Sequence, residues 1–366
     1  MKEYSEEGTI EKSFLSFIKK GILAEGVALA VLAAVCLLTG RGGLVPAAGR
    51  NALQKTEEKE PIKWVDFTVS YEALCRAYNW DVDTHGTGNE VDWVELLAYT
   101  AAKTGGTFDT KALSVLDKAA EELSEGSCTM EELAKDLKYY PYYKEAYDAV
   151  LGGLVGEYEE ETEDENGSRS YQTRYGLKGY FPLARGFDYS HYDDFGSGRS
   201  YGYQRKHLGH DMMGLTGTPI MAVESGIVEA LGWNQYGGWR IGIRSFDGRR
   251  YYYYAHLRQN YPYARNLEEG SVVTAGDVIG YMGHTGYSTK ENVNNIEVTH
   301  LHWGLELIFD EKRREEGKEI WVDVYPLTRF LAKHTQPAVK VEGTKEWVRT
   351  NAIKDPSVEA YRKENR

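Results

Sequence analysis

The chain has 366 residues, a formal net charge of −13 and 27% charged residues, of both signs throughout. No basic stripe accompanies that acidic balance, which argues against DNA or RNA as a partner. Only three cysteines occur, Cys36, Cys75 and Cys128, which excludes a disulfide-dense scaffold and a cysteine-ligated zinc finger.

The length exceeds one ordinary core, so at least two folded units are expected. Residues 1–20 are polar and mixed and read as a cytoplasmic tail. The stretch GILAEGVALAVLAAVCLLTG (21–40) is close to the roughly 20 apolar residues a helix needs to cross a bilayer. Lys19 and Lys20 precede it and Arg41 follows. A cleaved signal peptide would have a shorter leading region and a better cleavage site than VPAAG (45–49). The reading is a single-pass anchor in the cell membrane, N-terminus inside, with the bulk of the chain outside.

Residues 41–65 show no sustained period and read as a linker. From 66 to 156 the pattern is helical. VDWVELLAYTAAK (91–103) places Trp93, Leu96, Leu97 and Ala101 at spacings of three and four. ALSVLDKAAEEL (112–123) repeats it, and Ser127 or Thr129 could cap MEELAKDL (130–137). The tyrosines of KYYPYYKEAYDAVLGGLVGEY (138–158) read as packing surface rather than a sugar platform. Cys75 and Cys128 lie in this helical domain and could pair if it is extracellular. The domain is also a candidate docking module for a protein partner.

The acidic run EYEEETEDENGSRS (157–170) should repel itself, stay solvated and serve as a linker. Beyond it glycine becomes frequent. Short β-branched and aromatic runs alternate with turn signals, as in WRIGIRSFDGRRYYYYAHL (239–257), where Asp247-Gly248 marks a hairpin. Residues 171–335 therefore read as a mainly antiparallel β domain, with IWVDVYPLTRFLAK (320–333) as a closing strand or helix. Residues 336–366 read as a charged, poorly ordered tail. The fold class is α+β and multidomain: a transmembrane helix, a small all-α domain and the β domain.

Five of the nine histidines fall in short clusters: His207 and His210, His256, His300 and His302. In an extended RKHLGHDMMG (205–214), His207 and Asp211 share a face and His210 points away. Gly209 and Gly214 argue against a helix there. His300 and His302 also share a face, and parity cannot say which is a ligand. Two histidines and a carboxylate make a catalytic zinc set when a fourth position stays open. A nearby histidine can then manage protons near neutral pH. His85, His191, His284 and His334 read as ordinary structural histidines.

Six motifs, in order, carry a resemblance. DDFGSGR (193–199), HLGHD (207–211), GTPIMAVESGIVEA (217–230), YYYYAHL (251–257), VTAGDVIGYMGHTG (273–286) and THLHWGLEL (299–307) are similar to those of the lysostaphin/LytM-type zinc peptidases, which cut peptidoglycan cross-links. The resemblance implies zinc ligands His207, Asp211 and His302. It implies His256 and His300 as the pair that positions or deprotonates the attacking water and stabilises the oxyanion. The chain departs from the pattern at His284, at Trp303-Gly304 and in the long link YSTKENVNNIEVT (287–299), which bears on substrate choice rather than chemistry.

The resulting expectation is a membrane-anchored zinc endopeptidase acting on peptidoglycan stem peptides or cross-bridges. The alternative is a non-catalytic peptidoglycan- or protein-binding scaffold on the same fold. A glycan-cleaving helical domain would need two positioned carboxylates, for which Glu90, Asp92 and Glu95 are the only proposals.

Overall fold

The structure is a computed structural model that describes residues 60–200 and 204–365. The expected anchor at 21–40, the cytoplasmic tail, nearly all of the linker and Cys36 lie outside the described residues. Among the described residues no helix is long and apolar enough to cross a membrane.

Helices α1 (Tyr71–Thr84), α2 (Trp93–Thr104), α3 (Thr110–Ser124), α4 (Met130–Ala134) and α5 (Tyr140–Leu151) form the helical module. Their starts follow local chemistry. Ser70, Asp92 and Asp109 each accept a backbone N–H of the first turn. Thr129, not Ser127, caps α4, in a reciprocal capping box with Glu132. Gly105 ends α2 in the left-handed conformation, φ 66°. Tyr147 is fully buried, so the tyrosine stripe is mainly packing, although Tyr139 stays exposed. Cys75 and Cys128 are both free thiols.

The acidic run is not a linker. It forms most of a hairpin of β1 (Val155–Glu163) and β2 (Arg169–Leu177), in register from Val155↔Leu177 to Glu163↔Arg169. Opposite charges across the strands offset the self-repulsion: Arg169 reaches Glu161 at 3.3 Å and Arg174 reaches Glu160 at 3.6 Å. Asp164 accepts the N–H groups of Asn166 and Ser168, which fixes the turn.

The β part then runs through β3 (Ser190–His191), β4 (Gly198–Ser200), β5 (Gln204–Lys206), β6 (His210–Met213), β7 (Pro219–Met221), β8 (Gly226–Asn234), β9 (Gly238–Ser245), β10 (Arg250–Ala255), β11 (Val272–Val273), β12 (Val278–Tyr281) and β13 (His300–Leu307). The main sheet has the order β11-β8-β9-β10-β13-β6-β3. β14 (Ile320–Val322) adds to β13, and β12 pairs with β7 in a small second sheet. The Asp247-Gly248 turn joins β9 to β10 as expected, with Gly248 at φ 75°. On β13 alternation is strict: Leu301, Trp303, Leu305 and Leu307 are buried in the core. His300, His302, Gly304 and Glu306 take the opposite face.

Residues 60–366 form one compact unit, so the helical and β parts are not separate domains. One apolar cluster runs through both, from Leu74, Trp93 and Val150 to Leu305 and Phe330. Phe330 belongs to α7 (Tyr325–Leu331), the second half of the closing segment, which follows α6 (Glu311–Glu315) and β14. Its ring meets Tyr78 at 5.4 Å and Trp93 at 5.8 Å. A polar tie joins the same two parts. Arg250 is paired with Glu224 and donates to the α5 carbonyls of Asp148 and Ala149 at 3.3 and 3.2 Å.

Residues 336–366 are not a loose tail. β15 (Ala338–Lys340) pairs with β16 (Trp347–Arg349), and β17 (Ile353–Lys354) pairs with β1. Helix α8 (Pro356–Glu364) lays Tyr361 on Phe246, ring centroids 4.8 Å apart. Charge dominates this segment's composition, but a few anchors hold it: Tyr281 donates to Glu346 at 3.0 Å, and Lys178 to Asp355 at 3.0 Å.

Candidate metal centre

Strands β6 and β13 run antiparallel with Asp211 directly opposite His302. Asp211 Oδ1 lies 2.9 Å from His302 Nδ1 and 2.9 Å from His207 Nε2. The two ring nitrogens are 3.0 Å apart. His210, the neighbour of Asp211, takes the other face of β6 and meets His191, Nε2 to Nδ1, at 2.8 Å. Burial pushes His210 down to about 3, with His191 adding to the shift, so it stays neutral. Alternation thus separates His210 from Asp211 as expected. His207 precedes the strand and reaches the cluster through a loop, where its N–H bonds the Ser197 carbonyl at 2.9 Å. Gly209 provides clearance: a Cβ there would sit 2.5 Å from His302 Nε2.

The far side of His207 is also held. Its Nδ1–H goes to the Asp194 backbone carbonyl at 3.3 Å, which orients Nε2 toward the cluster, and the Asp194 carboxylate lies beside the same nitrogen, Oδ1 at 3.2 Å. Arg199 binds Asp194 and reaches Asp211 Oδ2 at 3.4 Å, tying the two carboxylates together. Burial alone would push Asp211 up, but hydrogen bonds from His207 and His302 hold it far below the usual carboxylate range.

His256 and His300 flank the cluster. Each gives its Nδ1–H to a backbone carbonyl: His256 to Thr285 at 2.9 Å and His300 to Val298 at 2.8 Å. In both rings Nε2 is therefore the nitrogen left without a hydrogen-bond partner among the described residues. His300 Nε2 is 3.8 Å from Asp211 Oδ1, and the rings of His256 and His300 are 4.7 Å apart. His256 has φ 62°, a left-handed backbone unusual for a non-glycine residue. Burial, and then His300 and His302, hold His256 well below the usual histidine range.

All five expected site residues line one cleft of about 470 Å3. His85, His191, His284 and His334 have structural partners instead: Tyr175, His210, the Ile296 carbonyl and the Gly179 carbonyl. The link 287–299 forms one wall, with Tyr287 and Val298 in the cleft. Arg205 donates to the Tyr287 hydroxyl, and Asn292 pins the link by accepting from Trp239 Nε1 at 2.9 Å. Asp194 and Arg199 were visible within DDFGSGR, but nothing in their spacing assigned them a role. Thr285 and Val298 act through carbonyls, for which a sequence carries no signal.

The donor chemistry fits a divalent ion. His207, Asp211 and His302 each offer one atom, all within 4.8 Å of one another, and this is the one such group among the described residues. Two imidazoles and a carboxylate beside an open cleft match a three-ligand site with a free position. Glu90, Asp92 and Glu95 offer no second centre: Asp92 caps α2, and Glu95 is paired with Lys144.

Comparison with known proteins bears on this geometry. Residues 205–315 match the model of Peptidase family M23. The L-Ala–D-Glu endopeptidase of Bacillus subtilis (strain 168) is 36% identical over 155 residues, 42% of this chain and 44% of that protein. Lysostaphin of Staphylococcus simulans is 38% identical over 89 residues, 24% of this chain and 17% of that protein. Among solved structures, the catalytic domain of lysostaphin from Staphylococcus simulans is 30% identical, with a TM-score of 0.30, over 39% of this chain and 92% of that one. A putative glycyl-glycine endopeptidase lytM from Ruminococcus gnavus is 23% identical, with a TM-score of 0.49, over 75% of this chain and 91% of that one. The stretch that matches Peptidase family M23 holds His207, Asp211, His256, His300 and His302. The chain spans less than half the length of the curated relatives it matches.

Proposed function

We propose that the chain is a zinc metallo-endopeptidase that hydrolyses peptide bonds of bacterial cell-wall peptidoglycan. One observation carries the reading. Three metal-type donors converge in a cleft flanked by two histidines whose Nε2 atoms are left free.

His207, Asp211 and His302 would hold the ion. Bound zinc would supply Lewis acidity and lower the pKa of water toward about 7. The histidines' own part follows from their geometry. The free Nε2 of His256 or His300 takes the proton of the attacking water. Once protonated, that ring donates to the oxygen on which negative charge develops, and then returns the proton to the departing amine. Backbone carbonyls fix both tautomers, so neither ring has to reorient for this task.

The relatives' names cover both glycyl-glycine and L-Ala–D-Glu bonds, and the metal centre by itself does not choose between them. We also propose that residues 21–40 anchor the chain in the cell membrane with residues 41 onward outside, in the compartment of the wall. The helical module buries its apolar face against the β part, so docking to a partner would use its outer surface.

The deciding experiment is mass analysis of fragments released from purified walls, with and without a chelator. New amino termini that vanish with the chelator and return with zinc are expected. Stoichiometric zinc with no fragment from several wall types would refute the enzymatic reading and favour the scaffold.

A further inference from the structure

The open sheet face does not end at the metal-centre cleft. Beyond His302 it continues into a second hollow of about 600 Å3. The two share Arg205, Tyr236, Tyr253 and His302. Tyr253 pairs with Gly242 on one side and Gly304 on the other, so two glycines flank the floor. A Cβ on Gly242 would collide with the Tyr251 hydroxyl, and one on Gly304 would lie 3.0 Å from the Trp321 ring. Both rings line the hollow.

The charges in this hollow are unevenly satisfied. Glu306 accepts from Arg314 at 3.2 Å, and Glu319 accepts from Trp321 Nε1 at 2.6 Å. Arg314 is also held by Glu229 at 2.6 Å, and Arg205 is bound to Tyr287. Two cations of the hollow, Lys206 and Arg240, form no ion pair among the described residues; Lys206 is exposed, whereas Arg240 is half-buried and its buried Nε has no hydrogen-bond partner. A half-buried guanidinium without a counterion gives up part of its hydration uncompensated, and its planar fork suits a carboxylate. Arg240 sits on β9, two strands from the metal-ligating strand β13, or about 10 Å at the usual strand spacing. With its own length the side chain reaches a substrate residue flanking the scissile bond.

We propose that Arg240 is a specificity-determining residue that receives a carboxylate carried by the substrate next to the bond to be cut. The cleft then selects an acid-bearing stem peptide over an uncharged glycine bridge. The proposal rests on the reading of the chain as a peptidoglycan endopeptidase.

Binding to the metal-free full chain tests it without relying on catalysis. The probes are two tripeptides, L-Ala–γ-D-Glu–L-Lys with the glutamate α-carboxylate free and its α-carboxamide analogue, both C-terminally amidated. Calorimetry should show the acid binding about tenfold or more tightly than the amide, the range of a charge-assisted contact. Arg240→Gln should abolish that preference while leaving the amide's affinity unchanged. Arg240→Lys should keep part of it, and Arg314→Gln should keep all of it. Equal binding of acid and amide to the wild type, or no binding of the acid at millimolar concentration, overturns the proposal. So does loss of the preference in Arg314→Gln instead of Arg240→Gln. A zinc-loaded chain that cuts no wall peptide would defeat the peptidase reading, and the binding comparison would still decide the role of Arg240.

Discussion

Asp194 stands behind His207, its Oδ1 3.2 Å from Nδ1, on the side away from the metal centre. The Asp194 backbone carbonyl takes the Nδ1–H at 3.3 Å and fixes the ring, and the negative charge of the carboxylate beside it raises the basicity of the nitrogen that would face the ion. Asp194→Asn should therefore weaken zinc affinity by about 10- to 100-fold without removing a ligand. His302→Ala should abolish stoichiometric binding outright. Competition with a chromogenic chelator measures both. Unchanged affinity in Asp194→Asn would mean that the Asp194 backbone carbonyl alone positions His207.

His256 and His300 should behave in the opposite way. His256→Ala and His300→Ala are expected to retain zinc and lower kcat by about 10²- to 10⁴-fold, the scale of general acid–base catalysis. Metal analysis alongside wall digestion separates the cases. Loss of zinc in either variant would reassign that residue to the ligand set.

The tie between the helical module and the β part predicts a stability effect remote from the chemistry. Arg250 Nε and Nη2 meet Glu224 Oε2 and Oε1 at 2.8 and 3.1 Å, and Tyr252 donates to the same carboxylate at 2.7 Å. Glu224→Ala would strip the bidentate partner from a buried cation, leaving Asp247 at 2.9 Å as its one carboxylate, and cost up to about 3–5 kcal/mol. Urea unfolding should show it as a lower midpoint, with zinc stoichiometry intact in the folded protein. A shift below about 1 kcal/mol would mean that Asp247 and the α5 carbonyls suffice for Arg250.

Glu306 gives a pH-dependent test. Burial pushes its carboxyl up from 4.5 to about 7, with Arg314 opposing only in part. The folded state therefore holds this proton more tightly than the unfolded chain. The resulting stability is fully present below about 4.5 and is lost as pH rises through about 7. Glu306→Gln removes the loss, so the variant should gain on the wild type across that window by up to about 3 kcal/mol. Parallel stability curves from pH 4.5 to 8 would contradict it.

What could be read from the sequence depended on whether a local rule decided the outcome. Alternation on β6 and β13 separates His210 from Asp211 and puts His300 with His302, because strand parity is a local property. It could not place His207, whose approach depends on the turn through Gly209. The cap at Thr129, one of the two that the sequence offers for residues 130–137, rests on the same kind of local rule. Composition misleads for the acidic run and the charged C-terminal segment, because Arg169, Arg174 and Lys354 bring the neutralising charge from partner strands. The division into two domains failed at Phe330, Tyr78 and Trp93, whose contacts span more than two hundred residues and leave no periodic mark. Arg240 carries no signal in the sequence, since only the folded arrangement shows that it forms no ion pair among the described residues.

The closing of the acidic hairpin has a consequence for how the chain is made. β1 pairs on one side with β2, a neighbour, and on the other with β17, through Glu159↔Lys354, a separation of 195 residues. At about 5–20 residues per second, synthesis leaves that edge open for on the order of 10–40 seconds. An unpaired strand edge is a template for another chain, and negative side chains along it discourage such pairing. The glutamates that mimic a linker thus act as temporal protection, keeping nascent chains apart until the last strand emerges to cover them.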